Sequence, residues 1–182
     1  MFTSMSGKVI MDSEAIARTI ARIASEILER NRGAGDLGII GIRTRGVYLA
    51  RRIADKIEEL EGIKPPIGIL DITLYRDDFR RRSDWPKVQK TEIPFQVEDR
   101  NIILVDDVLY TGRTTRAAIE AIMDYGRPSS IQLAVLVDRG GYRELPIQPD
   151  YAGIRIMTLK TQKVNVLLKE IDGKDEVVVT EG

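Results

Sequence analysis

The 182-residue sequence contains no cysteine and no histidine. The first absence excludes thiol nucleophiles, disulfide frameworks and cysteine zinc sites; the second removes imidazole ligands and every histidine-dependent triad. Chemistry in this chain therefore rests on carboxylates, hydroxyls, amides, lysine, arginine or a bound ion. Net charge is missing too, because 28 basic side chains balance 28 acidic ones. A neutral total advertises no polyanionic partner, although a local basic face can hide inside it. No run approaches the roughly 18 apolar residues of a membrane span, and the opening MFTSMSGKVIMD lacks the continuous apolar core of a signal peptide. The expectation is a soluble, cytoplasmic protein with no membrane partner.

What is present is arginine, 19 of the 28 cations, and arginine suits bidentate phosphate contacts. Short apolar runs alternate with amphipathic stretches. Residues 13–32 carry Ile16, Ile20, Ile23, Ala24, Ile27 and Leu28 at helical spacing, after the candidate N-caps Asp12 and Ser13 and ending near Gly33. LGIIGI (37–42) reads as a buried strand and 46–60 as a helix. A strand over 67–74, another at NIILV (101–105), a helix over 115–125 and a strand over 131–137 follow. Strands without polar alternation belong to a parallel sheet covered on both faces. Residues 138–153 read as irregular, and the last thirty residues hold strand candidates at KVNVLL and EVVVT. The segment 75–96 is long, polar and without period, as expected of a flexible lid loop or a disordered segment. No linker divides the chain, so one domain over 1–182 is expected.

Two motifs invite a phosphate reading. Gly33-Ala34-Gly35-Asp36-Leu37-Gly38 fits G-x-G-x-x-G but follows a helix and precedes a strand, the reverse of the dinucleotide arrangement, so it reads as a helix C-cap and turn. No P-loop pattern occurs. The second motif is IILVDDVLYTGRTT (102–115). Asp106 and Asp107 fall at the carboxyl end of a buried strand, where open parallel sheets place their ligands. Vicinal ribose hydroxyls can donate to such a pair. Thr111, Gly112, Arg113, Thr114 and Thr115 then lead into a helix whose positive end suits a phosphate, with Gly112 permitting a tight turn. The turn after 37–42 places Thr44 and Arg45 at the same sheet edge, where they can hold a diphosphate. Strand-end and cap chemistry alone would not require acids, threonines and glycine together.

This stretch resembles the 5-phosphoribosyl-1-diphosphate (PRPP) motif of the type I phosphoribosyltransferases. With GIRTRGVYLA, DITLYRDD, GRPSSIQLAVLVDRG and RELPIQPDY, nearly the whole chain is similar to the PyrR type, bifunctional regulators of pyrimidine operons with uracil phosphoribosyltransferase activity. The resemblance implies an α/β fold with a mainly parallel sheet flanked by helices, a lid at 75–96 and a small hood within 138–170. It implies that uracil and PRPP give UMP and diphosphate, and that UMP promotes binding to pyrimidine-operon leader mRNA and hence transcription attenuation. Mg²⁺ would be held mainly by PRPP oxygens, with no protein ligand assigned, and the chain would form a dimer or higher homo-oligomer.

The implied catalytic residues are Asp106, Asp107, Arg45 and Arg76, the last at the mouth of a lid that also carries Arg80, Arg81 and Arg82. Substrate contacts fall to Thr44, Arg45, Asp106 through Thr114 (including Val108, Leu109, Tyr110, Thr111, Gly112 and Arg113), Arg139 and the main chain of Val164. Tyr110 stands where purine-specific relatives commonly carry an aspartate, which favours a pyrimidine acceptor. Arg18 and Arg22 on one helix face, with Arg143, are the implied RNA contacts. The chain departs from the family pattern there, at Ala21, at Ser25 and by an extra residue in Gly140-Gly141-Tyr142-Arg143. Two alternatives stay open: a purine or other phosphoribosyltransferase without an RNA role, and a nucleotide-sensing regulator without turnover.

Overall fold

The computed structural model describes residues 7–77 and 89–182. Its elements are β1 (Lys8–Met11), α1 (Ser13–Asn31), β2 (Leu37–Ile42), α2 (Arg45–Glu61), β3 (Ile67–Leu70), a 3-10 turn (Thr73–Tyr75), β4 (Asn101–Leu109), α3 (Arg113–Met123), β5 (Ser130–Gly140), β6 (Tyr151–Met157), β7 (Gln162–Leu167), α4 (Lys169–Asp172) and β8 (Glu176–Glu181). Five strands form a parallel sheet in the order β3-β2-β4-β5-β6. Successive side chains of a strand point to opposite faces. Ile39, Ile103, Val105, Ala134 and Leu136 accordingly pack with α1 and α2, whereas Ile40, Ile102, Leu104, Leu133 and Val135 pack with α3. Both faces are covered, and all six residues of β2 are buried, which is why its sequence shows no polar alternation.

The helix signals act as expected. Asp12 caps α1, its Oδ1 accepting from the Ala15 amide at 2.8 Å, and Ser13 is the first helical residue. Arg32 and Gly33 end the helix at positive φ, and Gly38 lies inside β2. The glycine-rich stretch is thus a helix stop and a turn.

Several boundaries differ. β3 ends at Leu70, not 74, because the Asp71 carboxylate accepts from both the amide and the hydroxyl of Thr73 and closes a turn. β4 continues past 105 through the acid pair, staying in register with β5 until Leu109 meets Asp138. Residues 151–153, expected to be irregular, open β6, a parallel edge strand whose alternating exposure dilutes the apolar signal. Of the expected hood span 138–170, the ends of β5 and all of β6 belong to the main sheet. The hood is instead a small antiparallel sheet in the order β1-β8-β7, built from both ends of the chain. β1 carried no strand expectation. Residues 78–88 of the lid span, with Arg80, Arg81 and Arg82, lie outside the described residues. Among the described residues no helix is long and apolar enough to cross a membrane.

Candidate active site at the carboxyl edge of the sheet

A cavity of about 670 Å³ opens between the end of β4 and the hood, lined by Asp107, Arg45, Lys163, Val164, Val166 and Lys174 among others. Ligand clefts typically measure roughly 300–1,000 Å³. The fold therefore brings Asp107, Arg45 and Val164 to one space from three separate parts of the chain. The acid pair is divided. Asp107 faces the cavity, and its Oδ1 accepts from the Val108 amide at 2.8 Å. Asp106 is only 9% exposed and accepts from the Asp107 amide at 2.9 Å. Burial, then the charge and hydrogen bond of Asp107, push the Asp106 carboxyl well above the ordinary carboxylate range.

Thr111 to Thr114 are not on the wall of this cavity; they follow Asp107 along the chain to the start of α3. Gly112 is the N-cap of α3 at φ 93°, and no side chain caps the helix. The Arg113 amide is taken by Thr111, which leaves the amides of Thr114 and Thr115 for an anion. The positive φ favours glycine at 112, and a Cβ there would also sit tightly against Ile147, at 3.3 Å. The Thr111 hydroxyl accepts from the Arg113 amide at 3.3 Å, and Arg113 pairs with Asp77 and Glu144. Thr114 is exposed, while Thr115 is buried in the core and Leu109 packs against α3. Leu109 can thus serve a ligand only through its backbone.

The Tyr110 ring is held on two sides. The Arg139 guanidinium sits 4.1 Å from its centroid, and Tyr142 meets it edge-on at 5.4 Å. Arg139 is buried and donates to the Thr158 hydroxyl at 2.6 Å and to the carbonyls of Leu159 and Gln162 at 2.9 Å each. Expected beside the substrate, it fastens Tyr110 to the β6–β7 connection. Tyr142, in the segment carrying the extra residue, donates to the Thr158 carbonyl at 2.8 Å and so completes that packing.

At the opposite side, the Arg43–Thr44 peptide is cis, and Thr44 is the N-cap of α2 without a side-chain bond. Gly46 lets α2 start directly on β4, because a Cβ there would be 2.5 Å from the Val105 carbonyl. The Arg45 guanidinium donates to the Val166 carbonyl at 2.7 Å and to both Asp172 oxygens at 3.1 and 3.3 Å. It lines the cavity while bound to the hood. Two turns on, Arg52 is paired with Glu170 and Asp175. Arg43, which sequence reasoning passed over, donates to the Lys90 carbonyl at 2.8 and 3.0 Å, joining the Thr44 turn to the returning stem of the 75–96 segment. Arg76 follows the 3-10 turn in extended backbone, away from the cavity wall.

The arginines assigned to RNA part company. Arg18 is exposed, 3.6 Å from Glu14. Arg22 pairs with Glu26 at 2.8 Å and donates to the carbonyls of Ala152 and Gly153 at 3.1 and 2.6 Å, tying α1 to β6. Arg143 does not form a surface with them. Its side chain is 15% exposed and donates to the Tyr110 carbonyl at 2.5 Å and to Asp138 at 2.6 Å. Two of its three guanidinium nitrogens are thus committed inside the fold.

Against known proteins, a family model described as the phosphoribosyl transferase domain matches residues 6–170. The bifunctional protein PyrR of Pelotomaculum thermopropionicum is 55% identical over 172 residues, covering 94% of each chain. That of Deinococcus radiodurans is 56% identical over 168 residues, covering 92% of this chain and 91% of the relative. The chain belongs to the PyrR family of phosphoribosyltransferases. The hypoxanthine phosphoribosyltransferase of Trypanosoma cruzi superposes on this PyrR-family chain with a TM-score of 0.74 and 16% identity, covering 98% and 99% of the two chains. A likeness so low in identity speaks for the fold alone. It agrees with the type I phosphoribosyltransferase fold expected for a PyrR-type sequence.

Proposed function

We propose that PRPP and uracil react in the cavity between β4 and the hood. As a PyrR-family member the chain is a uracil phosphoribosyltransferase and a regulator of pyrimidine genes. The observation that carries the site assignment is the convergence of Asp107, Arg45 and Val164 on one cavity. In this reading the Asp107 carboxylate accepts from the ribose hydroxyls. Asp106 stays buried, holds the Asp107 amide and fixes the end of β4. The open amides of α3, with the hydroxyls of Thr111 and Thr114, take the 5′-phosphate, and the main chain of Val108 to Tyr110 borders the ribose. Thr44 and Arg45 take the diphosphate, Arg76 stands at the entrance, and the main chain of Val164 reads the pyrimidine edge. Tyr110, pinned by Arg139, occupies the place of the purine-directed acid.

The reaction breaks the anomeric carbon–diphosphate bond and forms a carbon–N1 bond to uracil. Its oxocarbenium-like transition state needs charge stabilisation and exclusion of water more than proton transfer. Mg²⁺ bound to PRPP would neutralise the leaving diphosphate. The oxygen donor that faces the cavity, Asp107, fits such an ion, whose other ligands would be PRPP oxygens and water. Regulation follows from binding of pyrimidine leader mRNA when UMP occupies the site, through a face that includes Arg18 and Arg22, in a homo-oligomer. The test is diphosphate release from PRPP with uracil, hypoxanthine or guanine offered separately. Turnover with uracil alone is expected. Faster turnover with either purine would overturn the acceptor assignment.

A further inference from the structure

We infer that Arg143 is a positioning residue that sets the 5′-phosphate turn by bridging Tyr110 to Asp138. This rests on the reading of Thr111 to Thr114 as the phosphate site. The β4–β5 ladder ends where Leu109 meets Asp138, so no ladder bond fixes the chain at 110 and beyond. At that point Asp138, 5% exposed, receives one Arg143 nitrogen at 2.6 Å, and another Arg143 nitrogen reaches the Tyr110 carbonyl at 2.5 Å. A planar guanidinium donates from several nitrogens in fixed geometry, which a lysine ammonium cannot copy. The residue after it continues the brace: the Glu144 amide donates to the Thr111 carbonyl at 2.9 Å, and its carboxylate accepts from Arg113 at 2.6 Å. Ile147 and the Arg143 stem close over Gly112. Every residue from Tyr110 to Arg113 is thereby held by the segment 143–147.

The brace touches no part of the cavity wall around Asp107, Arg45 and Val164. Its loss should therefore act first on recognition of the phosphate, and less on the ribose, which the Tyr110 main chain borders. UMP and uridine differ by that group alone. Both would be titrated against wild type, Arg143→Gln, Arg143→Lys and Asp138→Asn by calorimetry, with steady-state kinetics in PRPP and in uracil. Arg143→Gln is expected to weaken UMP by about 10- to 100-fold, the range for losing charge-assisted hydrogen bonds, and to raise the PRPP KM alike. Uridine affinity and the uracil KM should change much less. Arg143→Lys, which can serve only one of the two acceptors, and Asp138→Asn, which keeps the shape, should fall between; either serves if Arg143→Gln does not fold. Equal loss of UMP and uridine in the variants, or no loss of either, overturns the inference while leaving the phosphate site standing. If wild type itself binds uridine as tightly as UMP, the phosphate-site reading fails and this one falls with it.

Discussion

The two ends of the substrate site are secured differently. At the start of α3 the ion pairs of Arg113 and Arg143 are backed by bonds to the carbonyls of Tyr110 and Thr111 and by a glycine packed under Ile147. At the start of α2 the hold is ionic, with Arg45 on Asp172 and Arg52 on Glu170 and Asp175. Bonds to main-chain carbonyls persist whatever the pH, whereas paired carboxylates hold only while ionised. The phosphate turn, which has both, is thus the better-fixed end, and the hood is the end that solution conditions loosen first.

The largest expected effect lies between the two ends, where Asp107 alone of the acid pair faces the cavity. Asp107→Asn should lower uracil-dependent diphosphate release at least ~100-fold, about 2.7 kcal/mol of transition-state stabilisation. A near-wild-type rate would remove Asp107 from the site. Next comes the ionic end. Arg52→Ala leaves Glu170 and Asp175, 34% and 15% exposed, without their cation. Fully buried pairs broken on one side cost about 3–5 kcal/mol, so partial solvation suggests roughly 2. Hydrogen exchange should quicken across 162–181 and stay slow across 101–109; uniform quickening would abolish the contrast between ends.

The same contact has a defined pH sign. The Arg52 hydrogen bond lowers the Glu170 pKa; for Asp175, burial works upward but the bonds from Arg52 and the Lys169 amide outweigh it, and its pKa is lowered as well. A lowered folded pKa contributes stability above the ordinary carboxylate range that is lost as pH falls through the folded value. Acid should therefore weaken wild type more than Arg52→Ala. At the fixed end, Gly112→Ala places a side chain at positive φ and against Ile147, for about 1–2 kcal/mol. A lower melting temperature with a raised PRPP KM would show it; an unchanged KM would mean that the turn does not bind phosphate.

Much of this was legible in the sequence because it follows from periodicity and local chemistry. Unbroken apolar runs marked β2, β4 and β5, and Asp12 marked the start of α1. The position of Asp106–Asp107 before a threonine-glycine turn pointed to the proposed site. What was not legible depends on contacts between distant segments. Nothing within KVIM announces a strand, since β1 exists by pairing with β8 at the other end of the chain. The division of labour inside the acid pair was hidden too, because burial of Asp106 is set by the packed fold and not by its neighbours in sequence. Arg143 was read as a surface cation for the same reason: only the end of the β4–β5 ladder shows that it points inward.

That division gives a smaller, signed effect. Asp106 has a folded pKa raised by burial, so its own contribution to stability is greatest below the ordinary carboxylate range and falls as pH rises towards the folded value. Asp106→Asn does not titrate, so its stability relative to wild type should grow with pH. Denaturant melts in acid and in mildly alkaline buffer would measure this. A constant difference between the two proteins would show that the Asp106 carboxyl is not titrating as its burial implies.

The smallest effect concerns a residue that belongs to neither end. Arg22 is a poor probe of the RNA face, because Arg22→Ala also releases β6 by removing bonds to Ala152 and Gly153. Arg18 lies one turn earlier on α1, its side chain 72% exposed and only 3.6 Å from Glu14. Exposed pairs of this kind contribute little to stability, so Arg18→Ala should leave folding and the uracil reaction unchanged. If Arg18 contacts an RNA phosphate, the variant should bind pyrimidine leader RNA more weakly with UMP present. The slope of log K against log[salt] should then flatten by roughly 0.7–0.9. Unchanged affinity and slope would clear Arg18 from the RNA face. Because UMP and RNA must strengthen each other's binding by the same factor if they are coupled, titrating UMP into the RNA-bound variant gives a second reading. A retained UMP effect alongside a flattened salt slope would place Arg18 on the RNA and outside the nucleotide site.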